Sequence, residues 1–259
     1  MPVQIDNREV RSEARELLRS ASVSPYRFTA FYLAVNLVLD LIGTAAAILL
    51  GRPVEIAYLT VNISFVGVLA SLLTTVLLAG YVFYILGAQE GRPMGFESLF
   101  SMLPYAGGVI LLTMLQGFLI ALGLSFFIVP GVVLALAWSF SIYQFCETPQ
   151  LGAIGALRRS RRLTSGYRLQ LLALVLSFLP LLLLFAVPIA LIQFFLDPLF
   201  PDTLAGALLS TLCDDLLTGC AAIYITPYMA FAQAVFYRRV CAAKCASADA
   251  VDDFGDSEE

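Results

Sequence analysis

The sequence predicts an all-α integral membrane protein, a bundle of six transmembrane helices with short amphipathic helices on the cytoplasmic face. The first observation is composition: 60% of the 259 residues are apolar and the mean hydropathy is +0.88. The second is charge, because only 13% of residues are charged, against about 25% in soluble domains. A soluble core could not bury so much apolar surface, so several runs must face lipid. The third is the placement of the basic residues in alternate loops.

Breaks in the apolar pattern define the six crossings. Gly51-Arg52-Pro53 ends the first apolar run and Gly91-Arg92-Pro93 follows the second. Pro130 opens the fourth crossing, because the first turn of a helix tolerates proline. The crossings are predicted at residues 29–50, 58–87, 104–129, 130–147 and 169–195, with a sixth that ends at Tyr237.

The six-helix domain, residues 29–240, is predicted to lie between two cytoplasmic segments. Residues 1–28 form an amphipathic N-terminal segment, in which Val10, Ala14 and Leu18 recur at helical spacing. This helix is expected either on the membrane surface or packed on the bundle. Residues 241–259 form an acidic tail that is poor in large apolar side chains, so disorder is predicted there.

The basic residues predict the orientation. All fifteen of them except Arg52 fall in loops or terminal segments on one side of the predicted crossings. Because basic loops stay in the cytoplasm, both termini are predicted to be cytoplasmic.

A threefold pattern runs through the crossings. Pro25-Tyr26, Pro104-Tyr105 and Gly166-Tyr167 precede the three odd crossings, and aromatic residues end the even ones. We interpret this as three modules, each an interfacial helix followed by a helical hairpin. The alternative is that any inner membrane boundary selects a break and an interfacial tyrosine.

An arginine-rich amphipathic helix is predicted over residues 150–165. Its arginines fall on one arc at 100° per residue, opposite Ala153, Ala156, Leu157 and Leu163. Such an arc suits anionic lipid headgroups, and the alternative is ordinary orientation signalling. Nucleic acid is not an expected partner of a surface that faces the membrane. The candidate headgroup-binding residues are Arg158, Arg159, Arg161 and Arg162.

Three acidic residues fall within predicted crossings and suggest a polar path. Asp40 lies in the middle of the first crossing and is expected to bond to Asn36 or Asn62. Asp214 and Asp215 are predicted at the outer headgroup level, because about 20 residues of helix span the hydrocarbon core. Ionisable residues inside a bilayer are costly and usually functional.

The residue types argue against catalysis. The chain contains no histidine, which removes Ser-His and Cys-His nucleophile pairs and histidine metal sites. No phosphate-binding glycine loop or metal-ligand cluster is visible. We therefore predict no enzyme activity, no catalytic residues, no metal and no cofactor.

Several short motifs occur in an order that resembles a known family. They are residues 12–18 (SEARELL), 95–100 (GFESLF), 129–131 (VPG), 147–149 (ETP), 156–166 (ALRRSRRLTSG) and 226–228 (TPY). The order resembles the domain of unknown function 975 family of uncharacterised bacterial polytopic membrane proteins, which is similar to the membrane domain of some glycerophosphodiester phosphodiesterases. Trp138-Ser139 and the arginine-dense 158–162 run depart from its pattern. The resemblance covers roughly residues 10–240 and implies a bacterial membrane protein, but no reaction.

Together these features predict a non-enzymatic protein of the bacterial plasma membrane that binds anionic lipid or a partner membrane protein. The alternative is a small transporter or export component with a path through Asp40 and Asp214-Asp215. An enzyme that acts on lipid headgroups is a third hypothesis, which rests on family analogy alone.

Overall fold

Helices dominate the part of the chain that the structure, a computed structural model, describes: residues 6–20, 24–56, 59–200 and 203–255. The α-helices and strands are α1 (Asn7–Ser20), α2 (Pro25–Leu50), β1 (Arg52–Ile56), β2 (Leu59–Ile63), α3 (Phe65–Gln89), α4 (Ala106–Phe126), α5 (Ile128–Trp138), α6 (Ser141–Glu147), α7 (Gly152–Thr164), α8 (Arg168–Leu196) and α9 (Leu204–Gly255). Short 3-10 segments lie at Phe96–Phe100, Leu103–Tyr105, Pro149–Leu151 and Asp197–Leu199.

Six of the helical stretches in these ranges are long and apolar enough to cross a membrane. They are α2, α3, the 3-10 segments with α4, α5 with α6, α8, and α9. The predicted fold class, an all-α membrane bundle of six helices, is confirmed.

The second crossing begins later than predicted. Residues 57 and 58 lie outside the described ranges, and Leu59–Ile63 forms a strand that pairs antiparallel with Arg52–Ile56. Both strands are rich in β-branched residues, which favour strands over helices. Helix α3 then starts at Phe65, where the Ser64 hydroxyl accepts a hydrogen bond from the Gly67 amide at 3.0 Å. This N-cap fixes the start of the helix.

The third and fourth crossings meet at Phe127, three residues before the predicted turn at Pro130. Phe127 has extended backbone angles, so α4 ends at Phe126 and α5 begins at Ile128. Pro130 lies in the first turn of α5, as predicted. The two helices approach closely there, because a Cβ added to Gly123 would lie 3.0 Å from the Gly131 Cα.

The sixth helix does not end at Tyr237. Helix α9 continues through Arg238-Arg239 to Gly255, so residues 241–255 are helical where the sequence predicts disorder. Alanine is frequent in this stretch and proline is absent, and alanine has the highest helix propensity. The predicted domain boundaries at residues 28 and 240 therefore fall inside α2 and α9. Residues 256–259 lie outside the described part of the chain.

The three predicted modules are arranged in a closed ring. Helix α1 packs against α9, the Phe96–Phe100 segment against α3, and α7 against α6. In the same cyclic order α2 packs against α9, α4 against α3, and α8 against α5. Each module thus contacts the even crossing of the module before it, which supports the three-module interpretation. We call the end of the bundle that carries α1 and α7 the basic end, and the end that carries β1 and β2 the hairpin end.

A layer of aromatic side chains fills the centre of the basic end. Phe28 of α2 stacks on Tyr84 of α3 with ring centroids 3.7 Å apart. Tyr143 and Tyr237 bring α6 and α9 together at 5.3 Å, and Phe140 packs on the Tyr237 ring. All five side chains are at most 4% exposed. The even crossings therefore meet in a closed, tightly packed interior at this end.

Candidate functional site

Helix α7 is fixed to the bundle by its small and hydroxyl-bearing face. The Ser160 and Thr164 hydroxyls both donate to the carbonyl of Ala137, at 3.0 and 3.1 Å. Ala156 and Leu157 are buried on the same face. Ala137 lies in the last turn of α5, which ends at Trp138, so its carbonyl is free to accept these bonds. The hydrogen bonds set the rotation of α7 about its axis.

The opposite face of α7 presents its arginines to the surroundings. All four predicted residues are exposed, and their guanidinium groups form no ion pair or hydrogen bond with the residues that the structure describes. Ile154, which is 62% exposed, lies one helical turn before Arg158 on this face. The structure therefore keeps four unpaired cations beside an exposed apolar side chain. The four are Arg158, Arg159, Arg161 and Arg162.

The second candidate site is a cavity of about 470 Å³ between α2, α3 and α9. It brings Asp40 together with Asp214 and Asp215, although the sequence predicts different depths for the two sets. The Thr44 and Thr211 hydroxyls lie 3.4 Å apart across the antiparallel helices α2 and α9. Asp40 and Asp215 each lie one turn from these threonines toward the basic end, so they share one depth.

The expected amide partner of Asp40 is otherwise occupied. The Asn36 side chain donates to the Tyr32 carbonyl at 2.8 Å, and Asn62 lies in strand β2. Asp40 is exposed, whereas the Asp215 Oδ2 atom is buried without a hydrogen-bond partner in the described part of the chain. Within the described ranges, no group of three or more acidic, cysteine or histidine side chains is placed to hold a metal ion.

Sequence reasoning missed an ionic network at the tips of the even crossings. Arg238 of α9 pairs with Glu90 after α3, and its Nη2 atom lies 3.5 Å from Glu147 Oε1 at the end of α6. Arg92 also pairs with Glu90, and the Tyr237 hydroxyl donates to Glu147. Partial burial tends to raise the pKa of Glu90, but Arg238 and Arg92 together lower that pKa below its usual value. A charged residue just after each aromatic run was the available sequence signal.

A second missed contact decides how α1 is placed. Arg239 pairs with Glu9 at 3.0 Å and with Glu13 at 2.8 Å. Val10 and Ala14 are fully buried between these acids and the bundle. Of the two placements left open by the sequence, α1 takes the one packed on the bundle.

A known protein family matches a region of the chain that contains several of these residues. Residues 109–244 match the family described as protein of unknown function (DUF975), and this match covers more than half of the chain. It spans the arginine face of α7 and the Asp214-Asp215 pair, but not Asp40 or α1. No curated protein and no solved structure matches the chain. The chain therefore belongs to this family of unknown function.

Proposed function

We propose that this protein is a non-enzymatic membrane protein that binds anionic lipid headgroups through Arg158, Arg159, Arg161 and Arg162. The observation that carries the proposal is the set of four exposed guanidinium groups, unpaired among the described residues, on a helix of fixed rotation. Guanidinium groups match phosphate oxygens in charge and geometry. An acidic surface on a partner membrane protein would use the same chemistry.

The neighbouring apolar side chains favour lipid over a soluble partner. Ile154 is 62% exposed on the arginine face, and Leu169 at the start of α8 is 80% exposed. A helix with basic and apolar exposed side chains suits the boundary between headgroups and acyl chains. We therefore expect the proposed binding surface to lie at the boundary between the headgroups and the acyl chains of a membrane.

We also propose that the basic end faces the cytoplasm of a bacterial cell, in the plasma membrane. Arg52 lies at the hairpin end, and the other fourteen of the fifteen basic residues lie at the basic end or in the segments that extend from it. This asymmetry is the charge distribution expected of inward-facing loops. The inner leaflet is the one that carries anionic headgroups for the arginine face.

The test neutralises the arginine face. We expect the full-length variant with all four arginines of this face replaced by glutamine to bind phosphatidylglycerol roughly 30- to 1,000-fold more weakly. Each basic residue near an anionic leaflet contributes about 1 kcal/mol at most, and the contributions overlap. Affinity would be measured in mild detergent by native mass spectrometry during a phosphatidylglycerol titration, at two salt concentrations.

The matched control keeps the charge and changes the geometry. A variant with the same four arginines replaced by lysine should retain most of the binding and its salt dependence. Phosphatidylcholine, which has no net charge, should bind both variants and the unmodified protein equally. Unchanged phosphatidylglycerol affinity at every binding step in the glutamine variant would refute the lipid-binding proposal.

A small transporter is a second candidate, because the structure joins three carboxylates in one cavity. The cavity also carries the hydroxyls of Thr44, Thr211 and Ser71, a lining suited to a cation or a cationic solute. Toward the basic end, Tyr32 and Tyr81 stack with ring centroids 5.0 Å apart. Transport would therefore require this aromatic layer to open.

Aqueous access to the cavity tests the transporter hypothesis. In a background with the five native cysteines replaced, Thr211→Cys should react with a membrane-impermeant thiol reagent added at the hairpin end. Leu209→Cys is the matched control, because Leu209 lies on the same helix against Leu41 and Ile42 in an apolar groove. Equal protection of both cysteines would exclude a hydrated cavity.

A further inference from the structure

A cationic pocket lies at the basic end, on the far side of α1 from its ion pairs with Arg239. It has a volume of about 350 Å³ and is formed where α1 meets α9 and the start of α2. Its lining contains two arginines, three tyrosines and one leucine: Arg15, Leu18, Arg19, Tyr26, Tyr224 and Tyr228. Among the residues that the structure describes, no acidic side chain lines it.

The packing of α1 creates this separation of charge. Glu9 and Glu13, on the first half of the helix, bind Arg239. The remaining acid of the helix, Glu16, does not line the pocket, and no ion pair joins it to Arg15 or Arg19 in the described structure. The two arginines at the end of α1 therefore leave a net positive charge in the pocket.

Aromatic rings line the pocket, and one of them contacts the guanidinium group of Arg15. The Arg15 guanidinium carbon lies 5.6 Å from the centre of the Tyr228 ring, which in turn packs edge-on against Phe178. Tyr26 and Tyr224 contact one another with ring centroids 5.9 Å apart. A cation above an aromatic ring keeps its N–H groups available in the plane of the guanidinium.

The hydrogen-bonding groups of the pocket have no partner among the described residues. This holds for both guanidinium groups and for the hydroxyls of Tyr26, Tyr224 and Tyr228. Each of these groups can donate a hydrogen bond, and only the phenols can also accept one. Such a set of donors is complementary to an anion with several oxygen atoms, of which phosphate is the common case.

The exposed rings indicate that the anion belongs to a lipid. Tyr224 is 68% exposed and lies within the apolar part of α9, and Tyr26 is 38% exposed at the start of α2. Tyrosines with one apolar and one polar end are typical of the membrane interface. Basic pockets between membrane helices at that level bind lipid headgroups.

We infer that this pocket binds the phosphate of one anionic phospholipid, with Arg15 and Arg19 on the phosphate and Tyr224 beside the acyl chains. The inference extends the proposed lipid binding to a discrete site, different in construction from the open arginine face of α7. At α7 the cations are spread over a surface, whereas here two cations and three phenols converge on one volume.

The test compares charge removal inside and outside the pocket. The full-length protein would be titrated with dioleoylphosphatidylglycerol in detergent, and the first bound lipid would be followed by native mass spectrometry. We expect Arg15→Gln/Arg19→Gln to weaken the first binding event roughly tenfold or more. The matched control, Arg8→Gln/Arg11→Gln on the same helix, removes the same charge outside the pocket and should change it less than about twofold. Equal loss in both double variants would overturn the inference.

The α7 glutamine variant separates this inference from the proposed function. The two surfaces are expected to act at different binding steps, so that the α7 variant keeps the first lipid and loses later ones. If the first lipid survives in that variant but not in the Arg15/Arg19 variant, the pocket holds it. The opposite result would overturn the pocket and leave the α7 proposal standing. Loss in neither variant would contradict both. Arg15→Lys/Arg19→Lys should restore binding, and its failure in a protein that melts normally would contradict phosphate binding by charge.

Inorganic phosphate distinguishes a lipid from a free anion. At millimolar concentration it should neither displace the first phosphatidylglycerol nor raise the melting temperature, because it lacks the acyl chains that Tyr224 contacts. If inorganic phosphate displaced the first phosphatidylglycerol as effectively as a soluble glycerophosphate at the same concentration, the assignment to a lipid would be overturned.

Discussion

Replacing Gly80 with alanine adds a single methyl group, and we expect this substitution to disrupt the packing at the basic end of the bundle. Gly80 is buried in α3, against the Phe96–Phe100 segment. A Cβ at this position would lie 2.7 Å from the carbonyl carbon of Leu99 and closer still to its oxygen. Since the obstacle is backbone rather than a movable side chain, the segment must shift. Overpacking of this kind costs about 3 kcal/mol.

The reactivity of the Cys146 thiol would report that shift of the Phe96–Phe100 segment. Its thiol donates to the Ala79 carbonyl at 3.4 Å, next to Gly80, and its side chain is 4% exposed. With the other four cysteines replaced by serine, Gly80→Ala should make Cys146 react with a maleimide at temperatures where it is otherwise protected. The same samples would give the apparent melting temperature in detergent.

Gly107→Ala and Gly117→Ala are the matched controls for Gly80. Both glycines lie in α4, and an added Cβ would meet nothing within 4 Å. Alanine in a helix is favoured over glycine by up to about 1 kcal/mol, so these variants should be as stable as the unmodified protein or slightly more so. A Gly80→Ala protein that matches them in both stability and Cys146 protection would disprove the close contact.

Replacing Phe28 with alanine is expected to lower the stability by about 3 kcal/mol. Phe28 is fully buried, stacks on Tyr84 at 3.7 Å, and lies 6.1 Å from the ring of Phe96. It therefore joins α2 to α3 and to the Phe96–Phe100 segment within one aromatic layer. Its removal leaves a cavity that three elements line. We expect the apparent melting temperature to fall by roughly 5–10 °C.

An exposed phenylalanine in a helix long enough to cross a membrane serves as the control for Phe28. Phe118 lies in α4 and is 62% exposed, so Phe118→Ala removes the same atoms without opening a cavity in the bundle. Its effect should stay below about 1 kcal/mol. Equal destabilisation by the two substitutions would mean that loss of an apolar surface, and not loss of packing, sets the stability of the bundle.

The candidate sites differ in whether one segment of the sequence is enough to predict them. The arginine arc of α7 could be predicted, because residues 152–164 show helical periodicity without any knowledge of their neighbours. The convergence of Asp40 with Asp214 and Asp215 could not, because it depends on the register between α2 and α9, which the Thr44–Thr211 contact reports. The pocket of Arg15 and Arg19 likewise exists only because α1 docks on α9.

The sequence by itself determined the class of the protein, the number of its crossings and the face of α7 that carries the arginines. Hydropathy and a period of 3.6 residues are local properties, so a single segment contains the information. Tertiary structure alone decided the partners of Arg238 and Arg239, the late start of α3 and the ring of three modules. These features depend on how far each helix slides and rotates against its neighbours, and side-chain packing between distant segments sets both quantities.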